Sequence, residues 1–357
     1  MSQQQPYRSF GTPGGSFGAP QQFQTRAYPQ RAPQFGGQPQ PGPPAPQFGG
    51  QPPRRRSSPG AILLTAIGCL ALIVGAVFIT NSLFNSDDNV AYANENYTPP
   101  PVDENPDQFP IPETYDELST MLYSNPINAE QVSAPIRCET SPVDPATASP
   151  DEVEAHFNDF TGCLMTTWIE PMTSAGWTLP RPAVTVYEGT IDTPCGDLPE
   201  MNAVYCSANQ QLYFSMELAD LPGTSGNPAV FDMVMAHEFG HDIQGRTGQM
   251  AAAVILSEEL SEAEALKMSR MREAQADCYA GLFLNSAASS VPYTEADAQE
   301  VLEYTVALGA DTQTGDADIE STHPHGATRE YWTQMGMSTT EIGRCNTYVV
   351  SDDSLTD

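Results

Sequence analysis

His237 and His241 bracket Glu238 in the string His-Glu-Phe-Gly-His. On a helix that spacing is one turn, so both imidazoles leave the same face and can grip a single zinc ion. Glu238 stands beside them without having to ligate, placed to take a proton from water polarised by the metal. The chemistry so written is metal-assisted hydrolysis. Two incidental histidines on a surface helix would give the same five letters, so the flanks decide. Asn227-Pro228 offers an N-cap followed by proline at the first helical position. Val230, Phe231, Val234, Phe239 and Ile243 supply apolar faces, and Gly245 and Gly248 offer stops.

A zinc site of this kind keeps three protein ligands and one open position, and the third ligand usually comes from a second helix. A helix-like stretch runs from Ser257-Glu258-Glu259-Leu260 to Gly281-Leu282-Phe283. Within it Glu273 and Asp277 are four residues apart and share a face, while Ala274, Ala276 and Ala280 are small enough to let two helices approach closely. The spacing points to Glu273 as third ligand. Asp277 then becomes the acceptor that holds the N–H of a ligand histidine, turning its other nitrogen to the metal. Glu258, Glu259, Glu262 and Glu264 are nearby, and spacing alone does not exclude them. A substrate carbonyl also needs an electrophile besides the metal. His323, His325, Tyr279 and Arg329 are the candidates, and the sequence does not choose among them. For the two histidines, a plain loop pair at a helix start competes with that role. His156 reads as structural.

Ala-His-Glu-Phe-Gly-His-Asp-Ile-Gln at 236–244, followed by Glu-Ala-Gln-Ala-Asp-Cys-Tyr-Ala-Gly at 273–281, resembles the neutral zinc metallopeptidase family of bacteria. Cys195-Gly196 through Tyr205-Cys206, then Gln211-Leu212-Tyr213-Phe214-Ser215, precede them in the family's order. The resemblance implies a gluzincin-type peptidase with one zinc ion held by His237, His241 and Glu273, and Glu238 as catalytic base. It implies a peptide or protein substrate, and a zincin-like domain in which the strand 211–215 is the sheet edge that aligns an extended chain by β-augmentation. The family's His-Gly string is met by His325-Gly326, but compressed against the following Arg329 and Trp332, a departure from the family pattern that weighs against His325, which is carried as a candidate transition-state stabiliser. Cys195–Cys206 fits the family pattern as a local disulfide. Cys138–Cys163 and Cys278–Cys345 are the pairs adopted for the other four, which leave three ways to join, within fifteen connectivities for six cysteines.

Those six cysteines all follow residue 84, and only Cys69 precedes it, within an uncharged apolar run at 61–79. The run is long enough to span a bilayer and lies too far into the chain for a secretory signal. Arg54-Arg55-Arg56 comes before it and Asp87-Asp88 after it, which orients the N-terminus to the cytoplasm and the rest outside, where disulfides persist. With the bacterial resemblance, that is the outer face of a plasma membrane. Charge divides at the same place. All 45 acidic residues follow the run against eight basic ones, a local charge of −37 inside an overall −31. Such a surface excludes nucleic-acid and anionic-membrane binding as functions and favours basic substrates. Oligomeric state is not written in the sequence.

Four segments result. Residues 1–59 are a Pro/Gln/Gly-rich tail carrying a repeated Pro-Gln-Phe-Gly-Gly-Gln-Pro, unable to bury a core. Residues 60–84 are the membrane helix, 85–112 an extended acidic stalk with Pro99-Pro100-Pro101, and 113–357 the catalytic domain. The expected fold is α+β, a small sheet packed on helices with zinc between two of them. Ser149-Pro150-Asp151-Glu152 opens a helix with a capping box; 183–187 and 211–215 read as strands; 294–308 and 329–335 read as further helices. Tyr279, Leu282 and Phe283 read as core. Two rival functions stand beside a membrane-anchored zinc peptidase: a silent scaffold that keeps the fold, and a zinc amidase acting on cell-wall peptides. The intact Glu238 argues against the first, because that residue serves chemistry more than folding.

Overall fold

The computed structural model describes residues 90–93, 95–220 and 226–357. The expected tail and apolar run lie outside the described residues, and no described helix is long and apolar enough to cross a membrane. The described residues of the segment read as a stalk include no helix, yet they are fastened to the body. Ala93 bridges Ile136, Val102 bridges Arg181, and the Phe109 ring lies under the Arg246 guanidinium at 5.1 Å.

Helix α1 (Tyr115–Tyr123) begins at an N-cap, Thr114, whose side chain accepts from the Glu117 N–H. Helix α2 (Pro150–Ser174) opens with the reciprocal Ser149–Glu152 capping box and proline in its first turn. Five short strands follow: β1 (Val184–Tyr187), β2 (Ile191–Thr193), β3 (Gly196–Leu198), β4 (Ala203–Cys206) and β5 (Gln211–Ser215). Strands β2 and β3 form a small antiparallel ribbon. In the three-stranded sheet, β5 lies between β1, to which it is parallel, and β4, to which it is antiparallel. The strand expected at the sheet edge is therefore its centre, and β1 and β4 are the edges. The residues explain this: Leu212, Tyr213, Phe214 and Ser215 are all buried, as a strand flanked on both sides must be.

Helix α3 (Pro228–Arg246) carries the His-Glu-Phe-Gly-His string and starts at Asn227, whose side chain accepts from the Ala229 N–H. It passes through Gly245, because a Cβ there would meet the Phe109 ring at 2.7 Å, and the turn comes at Gly248, with φ 75°. Helix α4 (Gln249–Ser257) and helix α5 (Glu262–Ala287) divide what the sequence reads as one stretch. A Ser261–Glu264 capping box starts α5 afresh, which leaves Glu258 and Glu259 in the turn. Helices α6 (Glu295–Ala307), α7 (Ala310–Thr314) and α8 (Gly326–Met337) complete the order.

This is an α+β arrangement of small sheets on helices, knit by a chain of aromatic contacts. Phe157 of α2 meets Phe214 of β5 at 4.7 Å, Phe214 meets Phe231 of α3 at 6.0 Å, and Phe160 meets Phe283 of α5 at 5.0 Å. Trp168 of α2 meets Tyr279 of α5 at 5.0 Å, so Tyr279 is core. Each such ring removed from water contributes about 1.5–3 kcal/mol. Two helix crossings are closer still. A Cβ at Gly240 of α3 would come within 3.2 Å of the Ala276 Cα on α5, and one at Gly336 of α8 within 2.0 Å of the Cys278 carbonyl oxygen. Three disulfides, Cys138–Cys163, Cys195–Cys206 and Cys278–Cys345, pair all six cysteines of the described body in the expected connectivity.

Candidate metal centre

Because α3 and α5 cross at Gly240 and Ala276, His237 and Glu273, about one turn before the crossing, and His241 and Asp277, the residues just after it, are brought together. His237 Nε2 lies 3.4 Å and His241 Nε2 3.2 Å from the same oxygen, Glu273 Oε2. The two imidazoles stand perpendicular, with centroids 4.8 Å apart. One ligand atom from each of His237, His241 and Glu273 falls within 4.8 Å of the others, and all three residues are buried. Glu258, Glu259, Glu262 and Glu264 are not in this group.

Both histidines are turned inward from behind. The His237 Nδ1–H donates to Asp277 Oδ1 at 2.8 Å, and the His241 Nδ1–H donates to the Gln244 amide oxygen at 2.8 Å. Each Nε2 lone pair is thereby left to face the common point, which is the arrangement a metal ligand needs. Gln244 is held in turn by its own amide on the Arg272 carbonyl and on Gln275. Asp277 Oδ1 also accepts from the buried Arg329 guanidinium at 2.8 Å. Burial alone would push the Asp277 carboxyl up; Arg329 and His237 more than offset it and hold the acid ionised. Glu273 behaves likewise: burial opposes its charge, and His241, His237 and Arg272 pull its pKa well below the ordinary value. Arg272 meets the outer oxygen, Oε1, at 3.1 Å, leaving Oε2 for the centre.

The cluster asks for positive charge. Burial disfavours a charged His237, yet Asp277, then Glu273 and Glu238, raise its pKa to about 10. A divalent cation meets that demand, and two imidazoles with one carboxylate suit zinc. The donor set, the closed geometry and the fixed tautomers all fit it.

Glu238 is outside the ligand group. Its Oε2 accepts the Tyr205 backbone N–H from edge strand β4 at 2.7 Å, and burial raises its pKa above the ordinary carboxylate value. The same face of α3 repeats at Asp242 and Arg246. The Tyr205 hydroxyl donates to Asp242 Oδ1 at 2.7 Å, and Arg246 Nε donates to that oxygen at 3.3 Å. Burial pushes the Asp242 carboxyl up to about 6 despite Arg246. Tyr205 thus grips α3 twice, by its backbone at Glu238 and by its side chain one turn on.

The structure brings together His237, Glu238, His241, Glu273 and Asp277. His325 takes another place. It is the N-cap residue of α8, with its N–H donating to the Asp357 carbonyl at 2.9 Å, and no ion pair among the described residues joins it to the centre. His323 lies at the centre instead, its Nε2 3.9 Å from Glu273 Oε2. Gln244, Tyr205 and Arg272 are site residues that sequence reasoning passed over. Gln244, three residues after His241, carried a signal in its helical spacing. Tyr205 and Arg272 carried none, and Arg329 reaches the centre as the partner of Asp277 only through tertiary packing.

A two-histidine, one-glutamate centre on crossed helices, with a free glutamate beside it, defines a class of zinc proteins. Within that class, the chain belongs to the family described as "Putative neutral zinc metallopeptidase", which it matches over residues 125–348. An uncharacterized protein of Mycobacterium tuberculosis is 31% identical over 193 residues, covering 48% of this chain and 64% of that protein. Uncharacterized protein YpfJ of Escherichia coli is 26% identical over 246 residues, covering 65% of this chain and 80% of YpfJ. The chain thus spans slightly less than two thirds of the mycobacterial relative's length. No solved structure matches.

Proposed function

We propose that this protein is a zinc-dependent peptidase that hydrolyses peptide bonds in a peptide or protein substrate, on a zincin-like domain. The observation that carries this reading is the separation of Glu238 from the ligand group. Three residues close on one point while a fourth, the equally buried acid Glu238, is held by a strand N–H next to it. A glutamate placed only to ligate or to fold would not need that position.

His237, His241 and Glu273 would hold the ion. Zinc bound there supplies Lewis acidity and brings the pKa of water towards neutrality. The chain's own residues do the rest. Glu238, with its pKa raised by burial, takes a proton as water attacks the amide carbon, then delivers it to the nitrogen as the C–N bond breaks. Products are a carboxylic acid and an amine, and Glu238 is regenerated. Asp277 and Gln244 keep the imidazoles oriented throughout.

Strand β4 supports a binding mode. Ser215 N–H bonds to the Asn202 carbonyl, so by alternation Ala203 and Tyr205 turn their backbone groups to the free edge. Tyr205 N–H is on Glu238, and the remaining edge groups suit an extended peptide. The acidic surroundings suit basic segments. The apolar run at 61–79, with arginines before it and aspartates after it, supports a membrane anchor that leaves this domain outside the cell.

The test is digestion of a mixed peptide library by the purified full chain with zinc, products read by mass spectrometry. New cleavage products from the wild type, abolished by a chelator, are the expected result. Absence of cleavage with zinc bound would sink the reading. Release of fragments only from wall peptides containing D-residues would replace it with a cell-wall amidase.

A further inference from the structure

Three imidazoles converge on Glu273 Oε2, and the third is not like the other two. His237 and His241 have side chains 8% and 11% exposed, whereas the His323 side chain is 53% exposed. Its Nε2 is 3.9 Å from the shared oxygen, yet the ligand group closes within 4.8 Å without it. His323 therefore stands on the solvent side of the centre, outside the ligand set, where a substrate must arrive.

Its ring has a partner on the far nitrogen: the Thr322 hydroxyl lies 3.2 Å from His323 Nδ1. With that hydroxyl as the donor, the ring proton sits on Nε2, the nitrogen that faces the centre. The loop that carries it is tied on both sides. Arg270 donates to the Ser321 carbonyl at 3.1 Å, the His323 N–H donates to Ser321 Oγ at 3.1 Å, and the His325 N–H is fixed on Asp357. The other candidates that the sequence offered, and Arg272, each hold a partner in the body of the protein. Arg329 is buried on Asp277, the Tyr279 hydroxyl reaches Gln249, and Arg272 is spent on the outer oxygen of Glu273.

We propose that His323 is a catalytic residue of the hydrolysis described above, donating its Nε2–H to the carbonyl oxygen as that oxygen gains negative charge. This inference rests on the peptidase reading and adds to it the second electrophile that the sequence left open. A donor aimed at developing charge accelerates the step without strengthening substrate binding. Removing one such donor costs about 10²–10³ in kcat in comparable sites.

The test uses the zinc-loaded full chain and its His323→Ala and His323→Gln variants. Three quantities are measured: zinc affinity by chelator competition, kcat and KM on a peptide the wild type cleaves, and affinity for a phosphinic peptide, a tetrahedral anionic mimic of the transition state. For His323→Ala we expect zinc affinity within about threefold of wild type, kcat down about 100-fold with KM little changed, and phosphinic binding weaker by at least about tenfold. His323→Gln, which keeps an N–H donor, should recover part of both losses. A tenfold fall in zinc affinity would make His323 a ligand and overturn the proposal. Unchanged kcat and unchanged phosphinic binding would make it a bystander, with the peptidase reading intact. A wild type that neither cleaves peptides nor binds the phosphinate would overturn that reading and this role together.

Discussion

Asp277 makes a strong claim about how single side chains set this centre, because one of its oxygens accepts from both His237 and Arg329. Replacing it with alanine frees the imidazole to rotate and leaves a buried guanidinium unpaired, and zinc affinity should fall about 10–100-fold. Chelator competition would show it, and an unchanged affinity would mean the imidazole is fixed by packing alone. Away from the centre, His156 Nε2 meets Asp232 Oδ1 at 2.7 Å, stapling α2 to α3, with the Tyr293 hydroxyl on the other oxygen. Burial opposes its charge, but Asp232 raises its pKa above the usual 6.5. Burial also raises the Asp232 carboxyl, which makes stability fall with rising pH in the acid range. The stability that charging His156 contributes is present below pH 6.5 and is lost as pH rises through its higher folded-state value. Denaturant midpoints measured across that range should decline for the wild type and flatten for His156→Gln. Parallel slopes for the two proteins would remove His156 as the cause. At this scale the sequence was most legible where one helix carries the whole message: His237, Glu238 and His241 follow from period alone. Glu273 needed the family resemblance, since Glu258, Glu259, Glu262 and Glu264 share its neighbourhood. The choice between His323 and His325 was not legible, because two residues of loop decide which ring lies near Glu273 and which residue stands at the start of α8.

Elements meet here through glycine. Gly336 of α8 touches the α5 backbone so closely that an added Cβ would sit 2.0 Å from the Cys278 oxygen, and Gly281 presents the reciprocal contact at 2.2 Å from the Thr333 oxygen. Gly336→Ala must push the helices apart, costing at least about 1–3 kcal/mol as overpacking. It should also weaken the centre, since α8 carries Arg329 and follows the His323 loop. A thermal melt paired with a zinc titration checks this, and loss of stability with intact zinc affinity would uncouple α8 from the centre. The Cys278–Cys345 bond ties the same region across 67 residues and contributes roughly 4 kcal/mol by loop-closure entropy. Replacing both cysteines by alanine should lower the unfolding free energy by about that amount, read from urea denaturation. Helix starts were legible because caps are local: Ser149 and Asn227 stand where their side chains predict. The Ser261 capping box was equally available to reading but hidden inside a longer helical pattern. Sheet order was not legible, because the reading named strands only at 183–187 and 211–215, and β4, which pairs with β5 and leaves it in the centre, was not recognised.

Across the molecule, acidity is global while the site's demand for a cation is local. Three buried acids, Glu238, Glu273 and Asp277, face two histidines, one arginine and the ion they would share. Zinc binding to the folded form alone must raise its stability, by about 2.7 kcal/mol at a free concentration one hundred times Kd. Dialysis against a chelator should therefore lower the melting temperature, and added zinc should restore it. The segment before α1 belongs to this folded body rather than to a free spacer, since Phe109 packs at Gly245 and Asp107 accepts from Arg246 and Gln210. Composition alone described that stretch as extended; it could not show what the stretch lies against. The central claim is a division of labour between two glutamates on crossed helices, Glu273 holding the ion and Glu238 moving the proton. Zinc content and peptide turnover measured on one sample of Glu238→Gln test it most directly. The account predicts one zinc per chain with turnover reduced to background; turnover close to that of the wild type, or loss of the zinc, would contradict it.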